Sequence, residues 1–189
     1  MGHRFADLLF SEPVKAVQAE QDSRRIYQRW ESTEDSHQRL TEREIQFLQQ
    51  RDSFYVASVS PDGWPYIQHR GGPGGFLKVL DAEHIGFADY KGNRQYITTG
   101  NLRANNRVAL FFMDYPNRRR LKLLGYGTEI DSGSDQLGAL CNDEYPAKVE
   151  RGFIIQVAAF DWNCSQHITP RFDQSFIDAM THASNRETP

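Results

Sequence analysis

Two short stretches of the sequence place cations beside glycines, an arrangement that can bind phosphate. Residues 67–81 read IQHRGGPGGFLKVLD and contain Arg70, a glycine cluster and Lys78, whereas residues 89–101 read DYKGNRQYITTGN and contain Arg94. Glycine lets backbone N–H groups approach an anion, and a guanidinium presents a fork of donors that matches phosphate oxygens. If the flanking strands are neighbours, these cations converge on one phosphate site. The alternative is a wide loop at the rim of a sheet, with solvated cations.

A run of four cations follows in YPNRRRLKLLGYG, with Arg118, Arg119, Arg120 and Lys122 within five positions. Side chains alternate along a strand, which predicts Arg118 and Arg120 on one face and Arg119 on the other. One face can therefore line a site. A nucleic-acid interface needs a basic domain with exposed aromatic residues. The net charge is −3, so we expect no nucleic-acid partner.

Polar and aromatic residues also cluster in FDWNCSQHITPRF, residues 160–172. Trp162, His167 and Arg171 are suited to hold an aromatic ligand by stacking and hydrogen bonding. Cys164 with His167 is an alternative nucleophile pair, but neither a third orienting group nor an oxyanion loop is evident. The six histidines show no metal-ligand spacing, so no metal site is expected.

Composition narrows the class of protein. A chain of 189 residues is long enough for one well-buried domain. Its two cysteines have no C-x-x-C spacing, which favours a reducing, cytoplasmic location over a disulfide framework. No apolar stretch reaches the roughly 18 residues that a membrane span needs. The G-x-x-x-x-G-K-[ST] and G-x-G-x-x-G motifs are absent, which argues against a P-loop or Rossmann site.

Helices and then strands must position these groups. The pattern predicts one helix over residues 11–30 and a second one after Thr41, where Thr41 and Glu44 have capping-box spacing. From Ser53 the period becomes strand-like, with six or seven strands, hairpin turns and one short helical crossover. This favours an antiparallel barrel in a mainly β fold with peripheral helices.

We divide the chain into N-terminal helices that pack on the barrel (1–52), the barrel (53–163), and a C-terminal segment with a short helix and a flexible tail (164–189). All three segments are expected to form one structural domain.

In order and spacing, the motifs between residues 40 and 172 resemble those of the pyridoxamine 5'-phosphate oxidase-related, FMN-binding split-barrel proteins. The branch they most resemble is known only as flavin-nucleotide-binding. The resemblance implies a homodimer of six-stranded split barrels, with FMN bound at the interface by residues of both chains.

The resemblance also implies roles for individual residues. Lys78 in LKVLD corresponds to a lysine that meets the FMN phosphate, and FADYKGNRQ corresponds to a second phosphate-binding segment. That segment supplies Asn93, Arg94 and Gln95. Arg120 stands where the oxidases have a glutamine that reaches the flavin from the other subunit. Trp162 corresponds to a residue near the isoalloxazine ring.

Two departures from the oxidases matter. The glycine-rich insertion leaves Gln68 and Arg70 as rival substitutes for an arginine after the hairpin, with Arg70 at the mouth of the flavin site. The C-terminal Arg-x-His pattern is replaced by QHITPR, in which His167 and Arg171 are candidates for substrate binding or proton donation. Oxidation of pyridoxamine phosphate itself is therefore not expected.

The resulting hypothesis is an FMN-dependent oxidoreductase that acts on a small organic substrate. Its rival is a non-catalytic protein that binds flavin, haem or deazaflavin, with His69 or His167 as a haem ligand.

Overall fold

Seven antiparallel strands form one sheet in a computed structural model that describes residues 3–33, 37–162 and 164–184. They are β1 (Ser53–Val59), β2 (Pro65–Gly71), β3 (Leu77–Val79), β4 (His84–Tyr90), β5 (Arg107–Asp114), β6 (Arg119–Ile130) and β7 (Val149–Trp162). Their order across the sheet is β2-β1-β5-β6-β7-β4-β3. The mainly β, antiparallel architecture is confirmed.

The sheet is curled around an aromatic core. Phe54 on β1 and Phe87 on β4 make an edge-to-face contact with ring centroids 5.1 Å apart. These strands are four steps apart in the sheet order, which is about 19 Å in a flat sheet. Phe112 and Phe153, both fully buried, complete the same core. The inner faces of the two ends of the sheet therefore pack against each other, as in a split barrel.

The six-strand count implied by the resemblance is wrong by one. The residue pattern itself allowed six or seven strands. The shortest of the seven is β3, in which Lys78 lies opposite Gly86 of β4. It lies within the segment GFLKVLD, which the pattern predicted as a strand, but its three residues are fewer than the predicted stretch. Within the described sheet, β2 and β3 are the two edges, and hydrogen bonds do not close the barrel.

Residues 11–30, predicted as a single helix, contain two α-helices, and a further helix precedes them. The three helices are α1 (Arg4–Leu9), α2 (Glu12–Glu20) and α3 (Arg24–Gln28), followed by a 3-10 turn at Trp30–Ser32. Asp22 separates α2 from α3, and its φ of 57° belongs to the left-handed region, which ends a right-handed helix. The prediction was wrong because the apolar pattern runs across this break.

Helix α4 (Glu42–Gln49) confirms the predicted capping box. The Glu44 carboxylate accepts a hydrogen bond from the Thr41 backbone N–H at 3.0 Å and another from Trp162 Nε1 at 2.6 Å. Phe47 packs edge-to-face on the same indole ring at 4.7 Å. A single buried carboxylate thus caps α4 and attaches it to the end of β7.

The remaining helices are α5 (Ile97–Ala104), which is the predicted crossover, α6 (Asp135–Gly138) and α7 (Gln174–Ser184). None of the helices in the described ranges is long and apolar enough to cross a membrane. The flexible tail predicted at the C-terminus includes residues 185–189, which lie outside the described residues. The division of the chain at residues 52 and 163 stays a prediction.

Candidate functional site

A cavity of about 410 Å³ opens where β2 and β4 end. This volume lies within the range of about 300–1,000 Å³ that is typical of small-molecule pockets. The lining combines cationic, acidic and aromatic side chains from three parts of the chain. It comprises residues 68–71, Phe76, residues 87–94, Tyr96, Thr98, Thr99, Tyr145, Ala147 and Glu150.

Four of the site residues predicted from the sequence line this cavity: Gln68, Arg70, Asn93 and Arg94. Arg70 and Arg94, one from each glycine-containing stretch, therefore line the same cavity, whereas Lys78 does not. Gln68 is held in place because its Oε1 accepts a hydrogen bond from the Thr98 hydroxyl at 2.8 Å.

Arg70 lies on a strand and not in the glycine loop. Strand β2 continues to Gly71, and Arg70 is paired with Phe54 of β1. The loop that follows is shaped by packing, because a Cβ on Gly72 would lie 2.8 Å from the side chain of Phe76. Glycine at this position lets Phe76 fold back into the core.

An ion pair between Arg70 and Asp89 joins the two ends of the sheet at the cavity. Arg70 lies on β2 and Asp89 on β4, five steps apart in the sheet order, or about 24 Å in a flat sheet. The Arg70 side chain is 15% exposed, and its Nε has no hydrogen-bond partner among the described residues. A partly buried cation is therefore part of the cavity wall.

The ion pair continues as a chain of alternating charges beneath the cavity. Arg151 Nε lies 3.5 Å from Asp89 Oδ2, and Arg151 also donates to Glu129 at 3.0 Å. Arg103 of α5 donates to the same Glu129 at 2.8 Å. These contacts connect β2, β4, β7, β6 and α5 through charged side chains.

Burial raises the pKa of Asp89, although Arg70 and Arg151 act in the opposite direction. The Asp89 side chain is only 9% exposed, so its charged form has lost most of its hydration. Glu129 behaves differently, because hydrogen bonds from Arg103 and Arg151 outweigh its burial and lower its pKa. Of these two carboxylates, the one that lines the cavity is therefore the one for which ionisation is costly.

The loop between β4 and α5 brings Arg94 to the cavity. Arg94 and Tyr96 both have left-handed backbones, with φ of 60° and 53°. Arg94 Nε donates to the Tyr96 hydroxyl at 2.9 Å, and this hydroxyl donates to Glu150 at 3.2 Å. The hydrogen bond with Tyr96 raises the pKa of Arg94. Asn93 accepts a hydrogen bond from the backbone N–H of Gln95 at 3.2 Å and so shapes the same loop.

A β-bulge positions Glu150 in the wall of the cavity. Asp89 pairs with Arg151, but the next residue of β4, Tyr90, pairs with Val149, so Glu150 is the extra residue on β7. Bulges redirect side chains and are frequent beside functional sites.

Other predicted site residues lie outside this cavity. Lys78 is partly buried on the edge strand β3, and Gln95 is exposed in the loop before α5. Arg120 on β6 is partly buried, and its Nε has no hydrogen-bond partner within the described ranges. Trp162 packs against α4, with the Arg43 guanidinium 4.3 Å from its ring centroid. The roles of these residues stay predictions.

The C-terminal candidates, His167 and Arg171, are exposed and do not line the cavity. The guanidinium of Arg171 lies 5.0 Å from the ring centroid of Tyr115. Cys164 is an exposed free thiol. Arg118 was predicted to share a strand face with Arg120, but it lies in the preceding turn with a φ of 51°.

The sequence reasoning missed Asp89, Tyr96, Glu150 and Arg151. A usable signal existed only for Asp89, an acidic residue at the end of the apolar strand HIGFADY. The part of the chain that the structure describes contains no group of three or more His, Cys, Asp or Glu that could hold a metal ion.

Comparison with known proteins matches residues 40–159 to the family described as pyridoxamine 5'-phosphate oxidase. No curated protein matches the chain. Several solved structures share its fold at low sequence identity.

One of them is a Lactobacillus delbrueckii protein named as a candidate pyridoxamine 5'-phosphate oxidase, with 21% identity, a TM-score of 0.51, and coverage of 66% of this chain and 94% of its own. HupZ of Group A Streptococcus has 15% identity and a TM-score of 0.51, with coverage of 70% and 100%. An FMN-binding protein of Syntrophomonas wolfei has 9% identity and a TM-score of 0.50, with coverage of 64% and 86%.

The raised pKa of Asp89 predicts the sign of a pH effect on stability. Between the usual pKa of about 3.9 and the raised value, the native state binds more protons than the unfolded state, so Asp89 reduces stability as the pH rises. The free energy of unfolding of Asp89→Asn, minus that of the wild type, should therefore increase from about pH 4 upward. Urea denaturation at a series of pH values measures this difference.

Asp114→Asn is the matched control for this slope. Burial acts to raise the pKa of Asp114, but hydrogen bonds from Arg119 and Asn117 outweigh it and lower the pKa. The corresponding difference should therefore decrease as the pH rises through the acidic range below about 4. A difference for Asp89→Asn that stays constant with pH, or that decreases as it does for Asp114→Asn, would contradict the conclusion that burial raises the pKa of Asp89. The ion pair of each carboxylate acts through the pKa of that carboxylate and is therefore part of the measured slope.

Proposed function

Because the chain belongs to the pyridoxamine 5'-phosphate oxidase family, we propose that it binds FMN in the cavity at the ends of β2 and β4. We further propose that it is an oxidoreductase that acts on a small organic substrate. The observation that carries the proposal is the cluster of cations, Arg70, Lys91 and Arg94, in the wall of a pocket of suitable size. A flavin mononucleotide carries a phosphate that needs such cations. The name of the Syntrophomonas wolfei neighbour supports the same cofactor.

The residues of the cavity fit the phosphate group. Tyr96 occupies the Nε of Arg94, so the two terminal nitrogens of this guanidinium are available for phosphate oxygens. Arg70, which is paired with Asp89, adds a further positive charge to the wall of the cavity. Lys78 is proposed to add a further charge, as the family resemblance implies.

The remaining wall is suited to a planar heterocycle. Phe76, Tyr90 and Tyr145 supply aromatic surface, and Gln68 supplies an amide held by Thr98. Aromatic rings with a few fixed polar groups are typical of sites that bind ring systems.

FMN, when bound, supplies the electron or hydride transfer. The contribution of this chain is to position the cofactor, to neutralise its phosphate and to exclude water through the aromatic wall. Arg120 is proposed to approach the pyrimidine edge of the flavin. His167 and Arg171 are proposed to bind an acidic substrate or to donate a proton to it.

We also propose that the functional unit is a homodimer. The outer face of β1 and β2 is apolar, with Ile67 64% exposed and Tyr55 38% exposed. Trp64, in the adjoining turn, is 77% exposed. A contiguous exposed apolar surface of this kind is typical of protein interfaces. In a dimer, Arg120 and Trp162 of one chain are available to the cavity of the other.

A second candidate function is binding without turnover. His69 lines the cavity and is an available haem ligand, which favours a haem or flavin carrier as the rival. The visible spectrum distinguishes the two cofactors, because a haem Soret band differs from the flavin bands.

The proposal predicts that the purified protein binds FMN at micromolar concentration and is yellow. The double variant Arg94→Ala/Lys78→Ala should bind FMN about tenfold or more weakly, because it loses charge-assisted hydrogen bonds to the phosphate. Binding of riboflavin, which lacks the phosphate, should not change. Fluorescence titration measures both affinities.

Lys15→Ala, which removes a cation from α2 outside the cavity, is the control for net charge. A colourless protein that does not bind added FMN would exclude the cofactor. Equal losses for FMN and riboflavin would exclude the assignment of these cations to the phosphate.

The proposed oxidoreductase function also predicts how fast the bound FMN is reduced. Under anaerobic conditions, NADH, NADPH or an organic donor should bleach the bound FMN faster than it bleaches free FMN, because the protein positions the donor against the ring. Stopped-flow absorbance records the rates. If no donor reduces bound FMN faster than free FMN, the non-catalytic rival is favoured.

The proposed dimer predicts that Ile67→Asp yields a monomer with weakened FMN binding, because a buried unpaired charge opposes association. Sedimentation velocity measures the mass, and fluorescence titration measures the affinity. Val17→Asp is the matched control, since Val17 is 55% exposed on α2, away from β1 and β2. A wild-type monomer that retains FMN would overturn the shared site.

A further inference from the structure

We infer that Tyr96 is a positioning residue, which holds the Arg94 guanidinium in the orientation that receives a phosphate group. This inference rests on the proposed function, because it concerns the cation assigned to the phosphate. It adds a residue whose role neither the sequence pattern nor the family comparison indicated.

The Tyr96 hydroxyl lies at the centre of the arrangement. It accepts a hydrogen bond from Arg94 Nε at 2.9 Å and donates one to Glu150 Oε2 at 3.2 Å. The hydroxyl thus connects an exposed arginine of the loop to a residue of β7. Glu150 is itself partly buried, with 17% of its side chain exposed.

The Tyr96 ring is fixed separately from its hydroxyl. The Arg151 guanidinium lies 4.7 Å from the ring centroid, a cation–π contact. Arg151 in turn contacts Asp89 and Glu129, at 3.5 and 3.0 Å. The ring therefore packs on the buried charge network, and loss of the hydroxyl alone should leave the ring in place.

The backbone of the loop indicates why such an attachment is needed. Arg94 and Tyr96 have φ of 60° and 53°, in a region that bulky side chains rarely adopt. Such conformations persist where the surrounding contacts determine them, and they cluster at binding sites. The hydrogen bond between the two side chains and the packing on Arg151 provide those contacts.

The attachment affects binding through entropy. An exposed arginine samples many rotamers. A ligand that holds the side chain in one of them binds more weakly, because conformational entropy is lost. Tyr96 restricts Arg94 before any ligand arrives and engages Nε, so the two terminal nitrogens face outward as a pair. Arg94 is thereby preorganised to bind an anion with two oxygens.

The test is Tyr96→Phe, which removes the hydroxyl and keeps the ring. We expect FMN to bind about three- to tenfold more weakly, the range that corresponds to the loss of one hydrogen bond. Riboflavin should bind as before, because it has no phosphate. Fluorescence titration of both ligands gives the ratio of affinities, which general damage to the cavity would not change.

A double-mutant cycle with Arg94→Ala tests whether Tyr96 acts through Arg94. In the Arg94→Ala background, the additional change Tyr96→Phe should have no effect on FMN affinity. Tyr115→Phe is the matched control, since its ring also lies against a guanidinium, that of Arg171 at 5.0 Å, but outside the cavity. Circular dichroism and riboflavin binding verify that each variant is folded.

The possible outcomes distinguish a failure of this inference from a failure of the proposed function. If Arg94→Ala weakens FMN binding and Tyr96→Phe does not, the inference fails and the phosphate assignment stands. If Tyr96→Phe has the same effect with and without Arg94, or weakens riboflavin equally, Tyr96 does not act through Arg94 and the inference is also overturned. If Arg94→Ala has no effect on FMN, both fail.

Discussion

The ion pair between Arg70 and Asp89 is the contact on which the geometry of the cavity depends. It joins the first and sixth strands in the order of the sheet, at the place where backbone hydrogen bonds do not close the barrel. Replacement of a buried ion pair by apolar residues is often neutral for stability, so stability alone does not explain the pair. A charged contact of fixed geometry sets the distance between the two ends of the sheet. The width of the cavity follows from that distance.

The alternation of charge beneath the cavity makes this burial possible. Asp89 and Glu129 each lie between two arginines, so each buried charge has neighbours of opposite sign. The two carboxylates differ because burial dominates at Asp89, whereas at Glu129 the hydrogen bonds from both of its arginines outweigh burial. The pKa of Glu129 is accordingly lowered and that of Asp89 raised. An anion in the cavity would therefore lie beside the carboxylate that is least stabilised in its charged form.

Local patterns could be read from the sequence, and long-range contacts could not. The Thr41–Glu44 capping box and the shared cavity of Arg70 and Arg94 involve residues close together in the chain or at the ends of clear strands. The short strand β3 lies within the predicted strand segment GFLKVLD, but its pairing with β4 could not be read from the pattern. Arg70 was grouped with the glycine cluster, but it lies on β2, and the glycine at position 72 allows Phe76 to pack. The contact of Arg151 with Asp89 has no signature in the sequence, since the two residues meet only through the register of β4 and β7.

The positions of two residues at opposite ends of β7 bear on whether one chain or two chains form the site. Glu150 lies in the cavity wall near one end of this strand, and Trp162 is held by Glu44 and Phe47 at the other end. The two residues are about 40 Å apart measured along the strand, farther than one small molecule reaches. Under the proposed function, in which Trp162 and the cavity contact one FMN molecule, this Trp162 would therefore belong to a second copy of the chain. An experiment that shows whether Trp162 contacts the proposed cofactor would then also show whether the protein is a dimer.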